Sequence, residues 1–263
     1  MIGRTLALLI PVALACAAHS PAHGQFPDQP VRIVVGFPPG GPTDLAARVV
    51  GQAMEKRLGQ SVLVDNRPGA SGNIAAEYVA RSPGNGYSLL LGTTSVFAIN
   101  PAIGRKTPFD PAKDFVAVGL IGILPSFVIV PEGLPVRSIS DLARYGRENR
   151  GKLTYASNGP GTLSHICSAL ISSIFDIDAV HVPYKGSAPS AQDLVSNRVS
   201  FTCDAYSAYR PFVEGGRLRV LAASTAERSA LVEGVPGMRT AACPTSISSP
   251  GTRSWRPRRR RHR

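Results

Sequence analysis

Hydrophobic and polar positions in this chain switch repeatedly between two periods. Val31 to Phe37 is a short β-branched run, the pattern of a buried parallel strand. It gives way to Leu45, Val49, Ala53, Met54 and Leu58 at helical spacing, which predicts a helix capped by Thr43 and stopped by Gly59. Ser61 to Asp65 reads as a second strand through Val62 and Val64. A turn-rich loop over 66–73 follows, whose glycines allow close approach to a ligand, and then a small-residue helix from Ile74 to Ala80. Tyr87 to Gly92 is a third strand, ending in Thr93, Thr94 and Ser95. The order β-α-β-α-β predicts an open parallel sheet with helices on its faces.

The apolar run from Phe115 to Val130, interrupted by Pro125, predicts two strands with a crossover to a second lobe between them. Ser138 to Leu142 opens a helix that ends near Gly151. The first pattern then repeats, with strands over 153–156, 179–183 and 199–203 and helices over 162–175 and 187–196. Leu218 to Ala223 reads as a return crossing. The expected fold class is α/β, with two lobes and a ligand cleft between them. Residues 25–122 plus 224–235 form the first lobe in this reading, and 123–223 the second. A chain of 263 residues suits that division.

At three places a strand breaks into a Gly/Pro/Ser/Thr loop that opens a helix. These are 38–44, 157–165 and 185–190. Helix starts carry unpaired N–H groups and a partial positive charge, so several converging on one cleft would hold a small carboxylate or phosphate. Ligands of open parallel sheets bind beyond the carboxyl ends of the strands, where 38–44 and 93–95 lie.

Charge changes this picture less than its size suggests. The net charge is +12, but no acidic residue follows Glu233 and eight arginines lie between Pro236 and Arg263. Setting those and Arg4 aside leaves +3 for the remainder. The basicity belongs to a tail, expected to be disordered over 236–263, and not to a folded surface. The vocabulary of that tail resembles out-of-frame translation. At the other end, Arg4, the apolar stretch Leu6 to Ala18 and Ala22-His23-Gly24 read as a cleavable secretory signal over 1–24. Acylation of Cys16 is the competing, less favoured reading. The mature chain keeps Cys167, Cys203 and Cys243. A Cys167–Cys203 disulfide is open to it in an oxidising compartment, but two buried free thiols are the preferred expectation.

An ordered set of motifs carries a family resemblance. It begins with 27–35, Phe37-Pro38-Pro39-Gly40-Gly41 and Asp44, continues through Asp65-Asn66-Arg67-Pro68-Gly69-Ala70, Gly72-Asn73, Asn85-Gly86-Tyr87 and Ile99-Asn100-Pro101, and includes Asp114-Phe115, Tyr155-Ala156-Ser157, His181 to Gly186 and 224–229. From Phe26 to about Val235 the chain resembles the Bug family, extracytoplasmic solute receptors of tripartite tricarboxylate transporters. The resemblance implies a periplasmic-binding-protein fold of type II, no catalysis, no cofactor and no metal. It implies a monomer that captures a small organic carboxylate for membrane permease subunits. The carried-over ligand positions are Pro39, Gly40, Gly41, Thr43, Asp44, Thr94 and Ser95 from the first lobe. From the second they are Ser157, Asn158, Thr162, Ser164, His165 and Asp204. Family members continue after 224–229 in a pattern this chain lacks, so the first lobe is expected to lack its last helices.

Each of these positions also has a structural reading. Gly40 and Gly41 serve a turn, Asp44 favours the first turn of a helix or orders its loop, and Thr162 is a helix N-cap. Thr94 and Ser95 end a strand. His165 is a candidate for pH sensitivity or a packed imidazole, and Asp204 needs a polar partner wherever it lies. Residues 146–152 mimic the start of a phosphate-binding loop, but Leu153 follows and the helix-to-strand context is reversed. No nucleophile elbow or His-Glu-x-x-His occurs. An enzyme on the same scaffold, using Asp44 or His165, is the alternative class. A polyanion binder working through the Arg tail, without specificity for nucleic acid, is the third.

Overall fold

β1 (Val31–Val35) lies between β2 (Val62–Asn66) and β3 (Ser88–Leu91), and both pairings are parallel. This and all that follows refers to a computed structural model describing residues 26–241. The signal segment, Cys16, Cys243 and most of the Arg-rich tail lie outside the described residues. β1 is almost wholly buried, as a central parallel strand covered on both faces should be. α1 (Pro42–Leu58) follows it and α2 (Asn73–Ala80) follows β2. α1 is not capped by Thr43. Its N-cap is Gly41, with Pro42 in the first turn, where a fixed φ and a missing N–H cost nothing. Gly59 ends the helix in the left-handed region at φ 67°, as expected.

The loop from β1 to α1 is shaped by Asp44, which is almost completely buried. Its carboxylate accepts from Gly40 N (3.0 Å), Arg48 Nε (2.9 Å) and Asn66 Nδ2 (3.0 Å). Burial opposes ionisation of this group, but the bonds from Arg48, Gly40 and Asn66 outweigh it and hold the carboxyl below its usual range. Gly36, at the end of β1, lies against Gly72. A Cβ built on Gly36 would fall 2.6 Å from Gly72 Cα, so the two strand-end loops touch backbone to backbone.

The second sheet has the order β6-β5-β7-β4-β8. It comprises β4 (Ser126–Pro131), β5 (Leu153–Ser157), β6 (Ala179–Pro183), β7 (Phe201–Ala205) and β8 (Leu218–Ala223). β5 pairs in parallel with β6 and β7, while β4 runs antiparallel to β7 and β8. The helices are α3 (Ile139–Glu148), α4 (Leu163–Ile174), α5 (Ser187–Val195) and α6 (Arg210–Glu214). β4 shows why the element forms: Val128 and Val130 enter one apolar cluster with Leu142, Leu153 and Phe201, while Phe127 and Ile129 enter another with Leu194 and Tyr209. A strand buried on both faces reads as a continuous apolar run with no alternation.

Several expectations are corrected. The run 115–130 yields one strand, not two. Residues 115–125 take no strand structure, and Val116, Val118, Leu120 and Ile123 are each more than four-fifths exposed. Among the described residues nothing pairs with them. β8 does not cross back; it is the edge of the second sheet beside β4. Residues 224–235 were assigned to the first lobe, but Val235 packs in the cluster of Phe127 and Ala223, and Ala223 N donates to the Pro236 carbonyl. Within the tail, α7 (Met238–Ala241) is ordered against the second sheet. Cys167 and Cys203 are not free thiols. They form a disulfide that ties α4 to β7 across a separation of 36 residues.

Two measurements follow. Asp44→Ala leaves Gly40 N without its acceptor and Asn66 Nδ2 with the Phe37 carbonyl alone, and should cost about 2 kcal/mol in urea unfolding at neutral pH. Because the folded carboxyl titrates low, its contribution is in place above the ordinary Asp range and is lost as pH falls through the folded value, so the two proteins should converge in strong acid. Replacing both Cys167 and Cys203 with Ala should cost about 3–4 kcal/mol through loop-closure entropy, and non-reducing peptide mapping should recover the linked pair from the parent.

Candidate functional site

A cavity of about 520 Å³ lies where loops from the two sheets meet. From the first half come Gly36 to Pro38, Pro68 to Ser71, and Arg105. From the second come Asn158 to Pro160 and Pro183 to Lys185. All except Arg105 lie at or just beyond the carboxyl ends of β1, β2, β5 and β6, the expected mouth of open parallel sheets. The halves touch directly around it. Ser71 Oγ donates to the Pro160 carbonyl, and a Cβ on Gly186 would stand 3.3 Å from the Pro38 ring. Gly161 is packed so closely on the first half that a Cβ there would lie 2.8 Å from Asn100 Oδ1. At φ 113° and 77°, Gly159 and Gly161 use backbone conformations that side chains rarely adopt.

The turn from Asn158 to Gly161 is gripped from behind. Asn158 N donates to Ser164 Oγ (2.9 Å), and Gly159 N to Ser157 Oγ (3.1 Å). Gly161 N donates to His165 Nδ1 (3.3 Å). Thr162 caps α4, accepting from His165 N (3.3 Å) while its hydroxyl donates to the Gly159 carbonyl (2.7 Å). The Asn158 side chain is pinned as well. Its Nδ2 donates to Asp204 at 3.0 and 3.2 Å and to Ser187 Oγ at 3.1 Å. Asp204 also accepts from Ser187 Oγ (2.7 Å), Ala205 N (2.8 Å) and Tyr209 OH (3.0 Å). Burial raises the Asp204 carboxyl above its usual range despite these bonds, and raises the Tyr209 phenol well above its own.

The thirteen positions singled out in the sequence therefore divide. Asn158 lines the cavity. Ser157, Thr162, Ser164, His165 and Asp204 support the turn that lines it. Pro39, Gly40, Gly41, Thr43 and Asp44 stand behind Pro38 in the loop that enters it, where Asp44 is fully engaged with Gly40, Arg48 and Asn66. Thr94 and Ser95 open the helical turn Ser95–Ile99, and Ser95 is buried away from the cavity. The helix starts do converge on one region, but their caps, Gly41, Thr162 and Gly186, lie a few residues behind the wall.

Sequence reasoning missed Arg105, Lys185, Ser71 and Tyr184 as wall residues. Lys185 opens the third of the loops at helix starts, Tyr184 ends the apolar run before it, and Ser71 lies in the turn-rich segment after β2, so position was a signal that residue type was not. Nothing in the sequence pointed to Arg105. The Tyr184 hydroxyl donates to Asp193 Oδ2 (2.7 Å), and its pKa is pushed up to about 12, first by burial and then by that carboxylate, so it stays neutral. Arg105 Nη1 donates to Ser71 Oγ (3.3 Å). No ion pair among the described residues includes Arg105 or Lys185, and no carboxylate lines the cavity. Among the described residues no group of three or more His, Cys, Asp or Glu side chains is placed to hold a metal ion. No described helix is long and apolar enough to cross a membrane.

A family model described as tripartite tricarboxylate transporter family receptor matches residues 46–249. A UPF0065 protein of Pseudomonas sp. is 37% identical over 217 residues, covering 82% of this chain and 64% of the relative. An R. palustris protein solved with adipate is 38% identical with a TM-score of 0.80, over 84% of this chain and 74% of its own. The periplasmic binding protein BugD is 31% identical with a TM-score of 0.74, over 82% and 72%. The chain thus spans 64% of the curated relative's length and about three-quarters of each solved chain. The two-lobe α/β fold and the Bug resemblance expected from the sequence are both met. On the family match and these identities, the chain belongs to the tripartite tricarboxylate transporter receptor family.

Proposed function

We propose that this protein is a solute-binding receptor that captures a small organic carboxylate between its two lobes. The observation that carries the reading is the charge pattern of the cavity wall. Two cations, Arg105 and Lys185, face it from opposite halves, neither has a carboxylate partner among the described residues, and the wall itself has no acid. Backbone from three glycine-containing loops, with Ser71, Asn158 and Tyr184, supplies the remaining polar surface, and proline and aromatic groups supply the apolar surface a carbon chain needs. An anion of modest length satisfies both cations without a metal or cofactor, and a site of this kind binds without transforming what it holds. The R. palustris relative solved with adipate supports a carboxylate of that class.

In this reading the receptor works in the periplasm as a monomer and delivers its ligand to permease subunits in the membrane. The Cys167–Cys203 disulfide suits that oxidising compartment. The first lobe is built on the β2-β1-β3 sheet, the second on the five-stranded sheet, and the ligand sits where their loops meet.

The test is calorimetric titration with a panel of mono- and dicarboxylates, with thermal shift as a second readout. At least one dicarboxylate should stabilise the protein in a concentration-dependent way. Arg105→Ala should weaken it about tenfold or more, the scale of one charge-assisted hydrogen bond, and Lys185→Ala should weaken it less, since an exposed ammonium is better screened. A folded protein that responds to none of the panel, or an Arg105→Ala variant that binds as well as the parent, would overturn the proposal.

A further inference from the structure

We infer that His165 and His181 are positioning residues for the Gly159–Gly161 turn, holding it through unprotonated ring nitrogens so that acid releases it. Of the two, His181 lies on β6 and belongs to none of the groups considered above.

The hydrogen bonds fix the protonation state. Gly161 N–H points at His165 Nδ1 (3.3 Å), and a backbone amide can only donate, so Nδ1 must offer its lone pair. His181 Nε2 lies 2.6 Å from Ser157 Oγ. That hydroxyl already accepts from Gly159 N (3.1 Å). Ser157 is fully buried, and among the described residues its own proton has one acceptor within reach, the His181 nitrogen. The chain of donation therefore runs from Gly159 N–H to Ser157 O–H to His181 Nε2. Both rings are neutral in this arrangement, and each holds one glycine of the same turn.

The surroundings favour that neutral pair. The two rings are 4.3 Å apart, and both stack on Tyr155, at 5.0 Å for His181 and 6.3 Å for His165. Phe201 also packs on Tyr155, with ring centroids 5.8 Å apart. Burial lowers the pKa of both imidazoles, and His165 lowers that of His181 further. The titratable groups that face the pair are few. From β5 there is Tyr155. From β7, Cys203 is tied in the disulfide and Asp204 is turned to Asn158, Ser187 and Tyr209. β4 contributes none. From the first half, Arg105 stands beyond Gly161, its Cζ 3.8 Å from where a Cβ on that glycine would be. No carboxylate among the described residues pairs with either ring, so nothing offsets a positive charge placed there.

Protonating either ring deletes an acceptor, and protonating both sets two cations against each other with Arg105 nearby. The turn that loses its hold also carries the Pro160 carbonyl bonded to Ser71, so the contact between the halves loosens with it. The sign is diagnostic. If the histidines served only to add positive charge for an anion, acid would tighten the site; as supports of the turn, they weaken it.

The inference rests on the proposed site only for its consequence, and its test uses no ligand. Amide hydrogen exchange of Gly159 and Gly161 is followed in the full chain from about pH 7.5 down through the lowered imidazole midpoints to about pH 4, corrected for intrinsic exchange, alongside the titration of the imidazole ring protons. Protection of both amides should fall roughly tenfold, tracking the imidazole midpoints. His165→Asn and His181→Gln place a non-titrating carbonyl oxygen near the lost acceptor, so the double variant should keep protection and lose the pH dependence. Protection that stays constant across the range, or a fall that does not follow the imidazole midpoints, overturns the inference. So does a pH dependence that survives in the folded double variant. Because no carboxylate is present, failure here leaves the receptor reading standing, and failure of the carboxylate panel leaves this result standing.

Discussion

A turn that carries bare backbone into a cleft has to be held from behind. Glycine has no side chain to pack, so its position is set by where its N–H and carbonyl groups find partners. The Asn158–Gly161 turn meets this constraint with Ser157, Ser164, His165 and Thr162 gripping its amides and the Gly159 carbonyl, and with Asp204 pinning Asn158. The β1–α1 loop meets it with Asp44 gripping Gly40 while Asn66 Nδ2 bonds the Phe37 carbonyl. Cavity shape, contact between the halves and placement of the cations all follow from these buried supports.

The same supports settle the electrostatics. Two carboxylates stand close behind the wall, and either one exposed would oppose an anionic ligand. Asp44 is offset by Arg48 and two neutral donors. Asp204 is surrounded by hydroxyl, amide and backbone N–H donors, with burial working against its charge. What the cavity meets directly is Arg105, Lys185 and peptide dipoles. Acids used as internal struts and bases used as wall give the cleft its sign.

Much of the fold was legible because strands and helices alternate with different periods. β1, β5, β6 and β8 and the helices at 163–174 and 187–195 fall within a residue or two of the expected ranges, while the short helix Arg210–Glu214 was not expected. The misses share a cause. Phe115 to Leu124 has the composition of a strand, but a strand also needs a neighbour, and the described residues supply none. The path after Ala223 is a tertiary preference: Val235 and Met238 found apolar surface on the second sheet, which no local pattern encodes. The Cys167–Cys203 pairing depends on α4 lying across β7, and an odd cysteine count argued the other way.

The site was legible in its supports more than in its surface, and the reason is chemical. Ser, Thr, Asp, Asn and His attract attention because they make directed hydrogen bonds, and a folded chain uses directed bonds first to satisfy its own buried backbone. Of the side chains chosen on that ground, Asn158 alone reaches the cavity among the described residues, and even its amide is turned inward. The wall is made from what the supports leave over: proline rings, glycine backbone, and cations such as Arg105 whose only described partner is a hydroxyl. Here the polar motifs at the strand ends mark the neighbourhood of the cavity, while its wall is made by the glycines and prolines inside or beside the motifs and by long side chains arriving from elsewhere. For this chain, Arg105, Lys185 and Ser71 stand on the cavity wall, and the geometry of the cleft rests on the residues the sequence made conspicuous.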